Sequence, residues 1–243
     1  TIPWVMRRRR GWTGRLVVIA MLGIAGWLAV EIWTWPSVRR LAVERPATTA
    51  FIEQYRALQR ARRRPERVAR EWTPYAAISP AVKRAVLVAE DVNFFSHHGF
   101  ALDEMQSALE DAVRDRELPR GASTITQQLA KNLWLPRSRN PLRKAKEALL
   151  TWQLERTLPK RRILELYLNV VELGPGIYGV GAASQRYFGK PAADLDEREA
   201  AQLAAILPNP GAWRPGSASA AYQHRVAVIE RRMGRAAFLW KQI

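Results

Sequence analysis

The 243-residue chain contains no cysteine and only three histidines. Without cysteine no disulfide framework can form, in any compartment. His97 and His98 are adjacent, yet no acidic ligand stands beside them at metal spacing, so a hydrogen-bonded structural histidine is expected there rather than a metal centre. Alternating strands of convincing length are missing as well, and there is no internal repeat, which leaves a mainly α fold. Lysine is absent from residues 1–70, where 15 Arg face four Glu, so this stretch carries +11 of the formal charge of +17. Such a basic head suits either nucleic acid or the anionic face of a membrane.

The next segment of the chain separates those two partners. From Leu16 to Val30, LVVIAMLGIAGWLAV, no side chain is charged, and extension to Trp35 adds only Glu31. Twenty helical residues reach about 30 Å, the thickness of a hydrocarbon core. Arg7 to Arg10 and Arg15 flank the run on its N-terminal side, and Trp12, Trp33 and Trp35 stand where an aromatic belt lies. The segment therefore reads as a membrane anchor with a cytoplasmic N-terminus, although Arg39, Arg40 and Arg45 also come after it. A cleaved signal peptide has a similar basic start and apolar middle, but no A-x-A site comes soon after Val30. With 48% hydrophobic residues, the chain has enough for one sizeable core plus this appendage. The expected organisation is a basic tail over 1–15, a transmembrane helix over 16–35, a basic connector over 36–70 and a single domain over 71–243.

In the connector, FIEQYRALQRARRR spaces Phe51, Tyr55 and Leu58 at helical intervals before Pro65 stops the helix. It reads either as a solvated basic helix or as a stem resting on anionic headgroups. Beyond Trp72, amphipathic helices dominate. SPAVKRAVLVAEDVNFF offers Ser79 as N-cap and Pro80 at the first helical position. ALDEMQSALEDAVRDREL puts Leu102, Met105, Leu109 and Val113 on one stripe, and KRRILELYLNVVEL does the same with Ile163, Leu164, Tyr167, Leu168 and Val171. Arg161 and Glu165 stand at pairing distance along that last helix.

Three clusters carry candidate chemistry. In EDVNFFSHHGF the adjacent carboxylates Glu90 and Asp91 end an apolar helix and point about 100° apart, so only one faces a given pocket. If Glu90 continues the face of Val86 and Leu87, it is a carboxylate at the edge of a core, an environment that makes a proton acceptor; otherwise the pair is a solvated helix end. In GASTITQQLAKN, Ser123 or Thr124 is a natural N-cap, and free N–H groups at that helix start suit an anion. Thr124, Gln127, Gln128 and Lys131 then fall on one face, which suits an oxygen-rich ligand such as a sugar diphosphate. In RKAKEALLTWQLE, Arg143 and Glu147 either form an ordinary i, i+4 pair, or Arg143 and Lys144 hold phosphate while Glu147 orients them or helps bind a divalent cation.

Taken together, the clusters resemble a known family. Glu90, Asp91, Phe94, His97 and Gly99 resemble the EDxxFxxHxG motif of the family 51 peptidoglycan glycosyltransferases. Gly121, Ser123, Thr124, Ile125, Thr126, Gln127, Gln128, Lys131 and Asn132 resemble its GxSTITQQxxKN. Arg143, Lys144 and Glu147 are similar to RKxxE, and Lys160, Glu165 and Asn169 fall within a match to KxxILExYLN. GIYGVGAASQRYFGK and LAAILPNP are similar to later signatures, and the ordered set spans roughly residues 72 to 215.

The resemblance implies a lysozyme-like, mainly α glycosyltransferase domain whose small membrane-associated lobe falls over residues 100–140, including Trp134, Leu135 and Pro136, and doubles as a mobile segment over the cleft. It implies polymerisation of lipid II into β-1,4-linked strands with inversion at the MurNAc anomeric carbon and release of undecaprenyl diphosphate. Glu90 is then the base and Glu147 the second carboxylate, supporting the leaving group or a Mg²⁺ or Mn²⁺ ion. Ser123, Thr124, Gln127, Gln128, Lys131, Asn132, Arg143 and Lys144 become substrate-binding residues. Asp91, Phe94, His97, Gly99, Lys160, Glu165 and Asn169 become structural motif positions. The chain stops soon after the last motif, so no transpeptidase domain is expected. Implied partners are lipid II, the nascent glycan strand, the membrane and other cell-wall synthesis or division proteins, with no nucleic acid. The implied location is the bacterial cytoplasmic membrane with the catalytic domain in the periplasm. Two other readings remain open at this level: a tethered nucleic-acid binder using the arginine-rich head, and a catalytically inert scaffold.

Overall fold

The computed structural model describes residues 10–101, 123–138 and 140–243, with side-chain environments from residue 14 onward. The helix expected over 101–118, with its stripe from Leu102 to Val113, lies outside the described residues, as do Gly121, Arg7 to Arg9 and most of the expected lobe.

Two units make up the chain, Thr1–Ser37 and Val38–Ile243. The first is built on helix α1, Arg10–Trp33, long and apolar enough to cross a membrane. Its apolar side chains show no inward face: Leu16, Ile19, Leu22 and Trp33 are 59%, 64%, 68% and 90% exposed. In water that much bare hydrocarbon is unfavourable at about 25 cal/mol per Å², so lipid is the solvent this helix suits.

The second unit begins well before residue 71. A 3₁₀ turn at Val38–Ala42 buries Val38 and Leu41, and helix α2, Ala50–Ala61, buries Phe51 and Ile52. Thr49 caps α2 by accepting from the Ile52 amide at 3.2 Å. Residues 38–70 thus fold with the body, which corrects the expectation of a separate connector. The stripe assigned to α2 also needs correction, because Leu58 is 46% exposed and Ile52 takes its place inside. That position was hidden by a pattern of only three apolar residues.

Helix α3, Pro80–Glu90, starts as its sequence predicts, with the Ser79 hydroxyl accepting from the Ala81 amide at 3.1 Å and proline at the first position. Helices α4, Ile125–Trp134, and α5, Pro141–Thr157, pack on each other, and α4 also packs on α2 and on α6, Lys160–Val170. The α6 stripe from Ile163 to Val171 is buried, and Leu166 and Val170 are buried too, so α6 is covered nearly all round. Glu165 pairs with Arg162 at 2.8 Å rather than with Arg161, whose guanidinium reaches the Gln242 carbonyl. Three helices complete the body: α7, Val180–Phe188; α8, Glu197–Ile206; and α9, Ala220–Arg235. Of these, α8 packs on α3 and α9, and α9 on α3.

A small sheet was not expected from the sequence because its strands are two or three residues long: β1 (Ala69–Arg70), β2 (Glu172–Gly174) and β3 (Ile177–Tyr178), in the order β1-β3-β2. β1 runs parallel to β3 and β2 antiparallel, with Arg70 opposite Tyr178 and Glu172 opposite Tyr178. Of the residues named for a membrane lobe, Pro136 is exposed and Trp134 half-buried. Leu135 is 2% exposed and faces the core, so it is not available to lipid.

Candidate active site

The end of α3 divides its two carboxylates as their 100° separation requires. Asp91 turns inward: it is buried, its oxygens lie 2.8 and 3.0 Å from His97 Nε2, and it accepts from the Ile125 amide at 3.0 Å. The Gly99 amide donates to His97 Nδ1 at 3.1 Å, so the ring carries its proton on Nε2, aimed at Asp91. Gly99 has φ of +89°, and a Cβ there would stand 2.9 Å from carbons of Glu155 and Thr151. Thr124 is the N-cap of α4, in a reciprocal capping box with Gln127, and its hydroxyl donates to the Gly99 carbonyl at 2.7 Å. This set takes up the Ile125 and Gln127 amides at the helix start that the sequence offered to an anion. It also engages Thr124 and Gln127 with each other, so of the four-residue face only Gln128 and Lys131 turn to the cleft.

Glu90 is the outward member of the pair. Gln128 Nε2 donates to its Oε2 at 2.8 Å and Arg225 Nη2 to its Oε1 at 2.8 Å. The amide of Gln128 is oriented from behind, because the Tyr167 hydroxyl donates to Gln128 Oε1 at 3.0 Å. Burial pushes the Tyr167 phenol well up, which keeps it a donor. Burial also raises the Glu90 pKa, against the opposing pull of Gln128, Arg225 and Lys131. Each carboxylate oxygen retains a second lone pair. A cavity of about 420 Å³, walled by Val88, Glu90, Arg232, Arg235 and Phe238, opens beside Glu90.

A second cleft, of about 340 Å³, has Gln128 in its wall, with Phe51, Lys131, Asn132, Arg137, Arg143 and Glu172 among others. Burial lowers the pKa of Lys131, with the charges of Arg143, Lys144 and Arg137 adding to it and Glu147 opposing. Among the described residues, the Nε atoms of Arg143 and Arg225 are buried with no hydrogen-bond partner. Of the two, Arg143 lines the cationic cleft with that unused donor, and Arg225 sits at Glu90. Ser123, half-buried, accepts from Gln128 Nε2 at 3.3 Å through its carbonyl.

Glu147 is 2% exposed, and both of its oxygens are taken, one by Arg143 Nη1 at 2.6 Å and the other by Lys144 Nζ. It therefore holds the two cations in place, as the i, i+4 spacing allowed. Among the described residues no three His, Asp or Glu side chains gather to hold a metal ion. A divalent cation at Glu147 would have to displace Lys144 and sit beside Arg143, so the residues present do not fit that ion.

The other motif positions brace the site. Lys160 pairs with Glu155 at 2.8 Å and stands 4.4 Å above the Phe94 ring, and Thr126 donates to the same Glu155. Asn169 accepts from the Thr73 amide at 2.7 Å and donates to the Thr73 carbonyl at 2.9 Å, while Glu165 accepts from the Tyr75 amide. Sequence reasoning missed Arg225 and Arg137. Arg225 lies in a helix with no motif signal, and Arg137 in a segment assigned to a membrane lobe. Tyr167 was placed only as a core residue, although its hydroxyl needed a partner once buried.

With this geometry established, comparison with known proteins gives a consistent result. The family profile described as Transglycosylase matches residues 56–234. A protein of Thiobacillus denitrificans named biosynthetic peptidoglycan transglycosylase is 44% identical over 96% of this chain and 99% of its own length. Proteins of the same name from an Azoarcus species and from Bordetella pertussis are 45% and 39% identical, over 82% and 96% of this chain and 85% and 98% of their own lengths.

Proposed function

Since the chain belongs to the transglycosylase family, its activity is the synthesis of peptidoglycan glycan strands, and we propose that it polymerises lipid II by a single inverting displacement. The 4-hydroxyl of an acceptor GlcNAc attacks C1 of a MurNAc whose leaving group is undecaprenyl diphosphate. The hydroxyl proton passes to the Glu90 carboxylate, the C1–O bond to the diphosphate breaks, and its electron pair leaves with the phosphate oxygen. An α-linked diphosphate becomes a β-1,4 glycosidic bond. The observation that carries this reading is Glu90, a half-buried carboxylate of raised pKa whose neighbour Gln128 also lines the cationic cleft. A raised pKa makes the carboxylate a stronger proton acceptor, and fixed cations meet the charge that develops on the diphosphate.

Lys131 and Arg143 take the leaving group, while Glu147 holds Arg143 and Lys144 in place. No step is routed through a divalent cation. Gln128 fixes the Glu90 carboxylate plane, and Tyr167 fixes Gln128. The arginines that flank the apolar run on its N-terminal side support a cytoplasmic tail and a periplasmic body; a protease added outside spheroplasts should then digest the body and spare a tag on the N-terminus.

The test is polymerisation of labelled lipid II, with product length read on a gel. Glu90→Gln should lower the rate about 10²- to 10⁴-fold, the range for loss of a general base, and leave the melting transition in place. Full activity in that variant removes Glu90 as the base. A folded wild-type chain with no turnover would instead make it a scaffold.

A further inference from the structure

We propose that helix α2 sets the diphosphate end of the cleft, with Phe51 acting as a positioning residue for Lys131 and Arg137, and Arg137 as a further phosphate-binding cation. The inference rests on the reading of the cleft given above. Phe51 stands outside the residues that match the family profile, which begin at residue 56. Its ring is shared by two cations: the Arg137 guanidinium carbon is 4.2 Å from the centroid and Lys131 Nζ 5.9 Å. Both distances fall within the reach of a cation–π attraction.

The ring is itself immobilised. Phe51 is 8% exposed, the Tyr178 hydroxyl donates to its carbonyl at 3.3 Å, and Tyr55, one turn on, meets Tyr178 edge to face at 6.3 Å. Also on α2, Gln54 clamps the segment that carries Arg137. Its Nε2 donates to the Leu135 carbonyl at 3.3 Å and its Oε1 accepts from the Arg137 amide at 3.1 Å. Arg137 also pairs with Glu172 of β2, yet its side chain is still 48% exposed where it lines the cleft with Lys131 and Arg143.

This arrangement answers a physical difficulty. Three like charges around one cleft repel one another, and long cationic side chains lose rotamer freedom when a ligand orders them. An aromatic face attracts two of the cations without neutralising either, and so holds them ready for an anion. Arg137, clamped through its backbone and steadied by Phe51 and Glu172, keeps guanidinium donors for phosphate oxygens.

The experiment uses the full chain in detergent, with farnesyl diphosphate as the probe of the leaving-group end, by calorimetry. Phe51→Leu keeps the apolar bulk and removes the π face; Phe51→Trp keeps the face. Phe51→Leu should bind the probe about two- to fivefold more weakly, the fold-change that a cation–π contact of about 0.5–1 kcal/mol supplies. Its melting temperature should stay near that of wild type, and Phe51→Trp should restore binding. Arg137→Gln should also weaken binding, and the Phe51→Leu/Arg137→Gln pair should lose less than the two single losses combined. Should Phe51→Leu not fold, Gln54→Ala and Arg137→Gln carry the same test. Unchanged binding in Phe51→Leu, an equal loss in Phe51→Trp, or additive losses would each overturn the inference, as would a wild-type chain that does not bind the probe. A wild-type chain that binds farnesyl diphosphate but makes no glycan would remove the polymerase reading alone.

Discussion

Glu90 and Asp91 are covalent neighbours with opposite tasks, and the division comes from direction alone. Asp91 points into the body, where His97 and the Ile125 amide occupy it. Glu90 lines a cavity, where burial raises its pKa and Arg225 holds it down. The sign of the Arg225 effect is open to measurement. A base works only when ionised, so activity rises through the Glu90 pKa as pH increases. Removing the Arg225 charge takes away one of the influences that lower that pKa. Arg225→Gln should therefore move the acid limb of the pH–rate profile to higher pH, and part of the lost activity should return as pH is raised. An acid limb that stays in place, with activity lost equally at every pH, would mean that Arg225 serves substrate rather than Glu90. Glu90 was legible in the sequence because it ends an apolar helix inside a motif. Arg225 was not, since it reaches the same carboxylate from 135 residues away and no local pattern encodes such a distance.

At the scale of the element, helix α4 shows how one run of hydroxyls and amides serves two purposes. Thr124 and Gln127 start the helix, and Gln128 and Lys131 work from its next turn. Thr124→Ala removes the cap and leaves the buried Gly99 carbonyl without its donor. The cap accounts for about 1 kcal/mol and the unpaired carbonyl for about 1–3 kcal/mol, so urea unfolding should show a loss of roughly 2–4 kcal/mol that Thr124→Ser largely restores. A loss below about 0.5 kcal/mol, the scatter of surface substitutions, would contradict that account. Elements with a start signal were readable: Ser79–Pro80 opens α3 as its sequence says. Elements of two or three residues were not, because β1, β2 and β3 are too short for alternation to register. Gly179, which follows β3, has φ of +83°, and a Cβ there would stand 2.8 Å from the Asn169 carbonyl oxygen. The face of α4 was read correctly as a helical face and incompletely as a binding face, since spacing does not say which polar groups will satisfy one another.

For the whole molecule, the boundary falls at Ser37, so the helix long and apolar enough to cross a membrane and the candidate active site belong to separate units. Removing residues 1–37 should leave a body that melts as the full chain does and no longer sediments with lipid vesicles in about 0.5 M salt, where surface charge is screened and only inserted hydrocarbon holds. Retained sedimentation of the shortened chain would mean that the body carries an apolar attachment of its own. Within the body, the chain that leaves the site at Ala101 returns at Ser123, and the flanks of that stretch are tied together. The Thr124 hydroxyl bonds the Gly99 carbonyl, and the Ile125 amide bonds Asp91. The Thr124 and Ile125 bonds thus moor the start of α4 to the end of α3, so the 2.8 Å contact between the Gln128 amide and the Glu90 carboxylate is set by the cap of a helix one turn away.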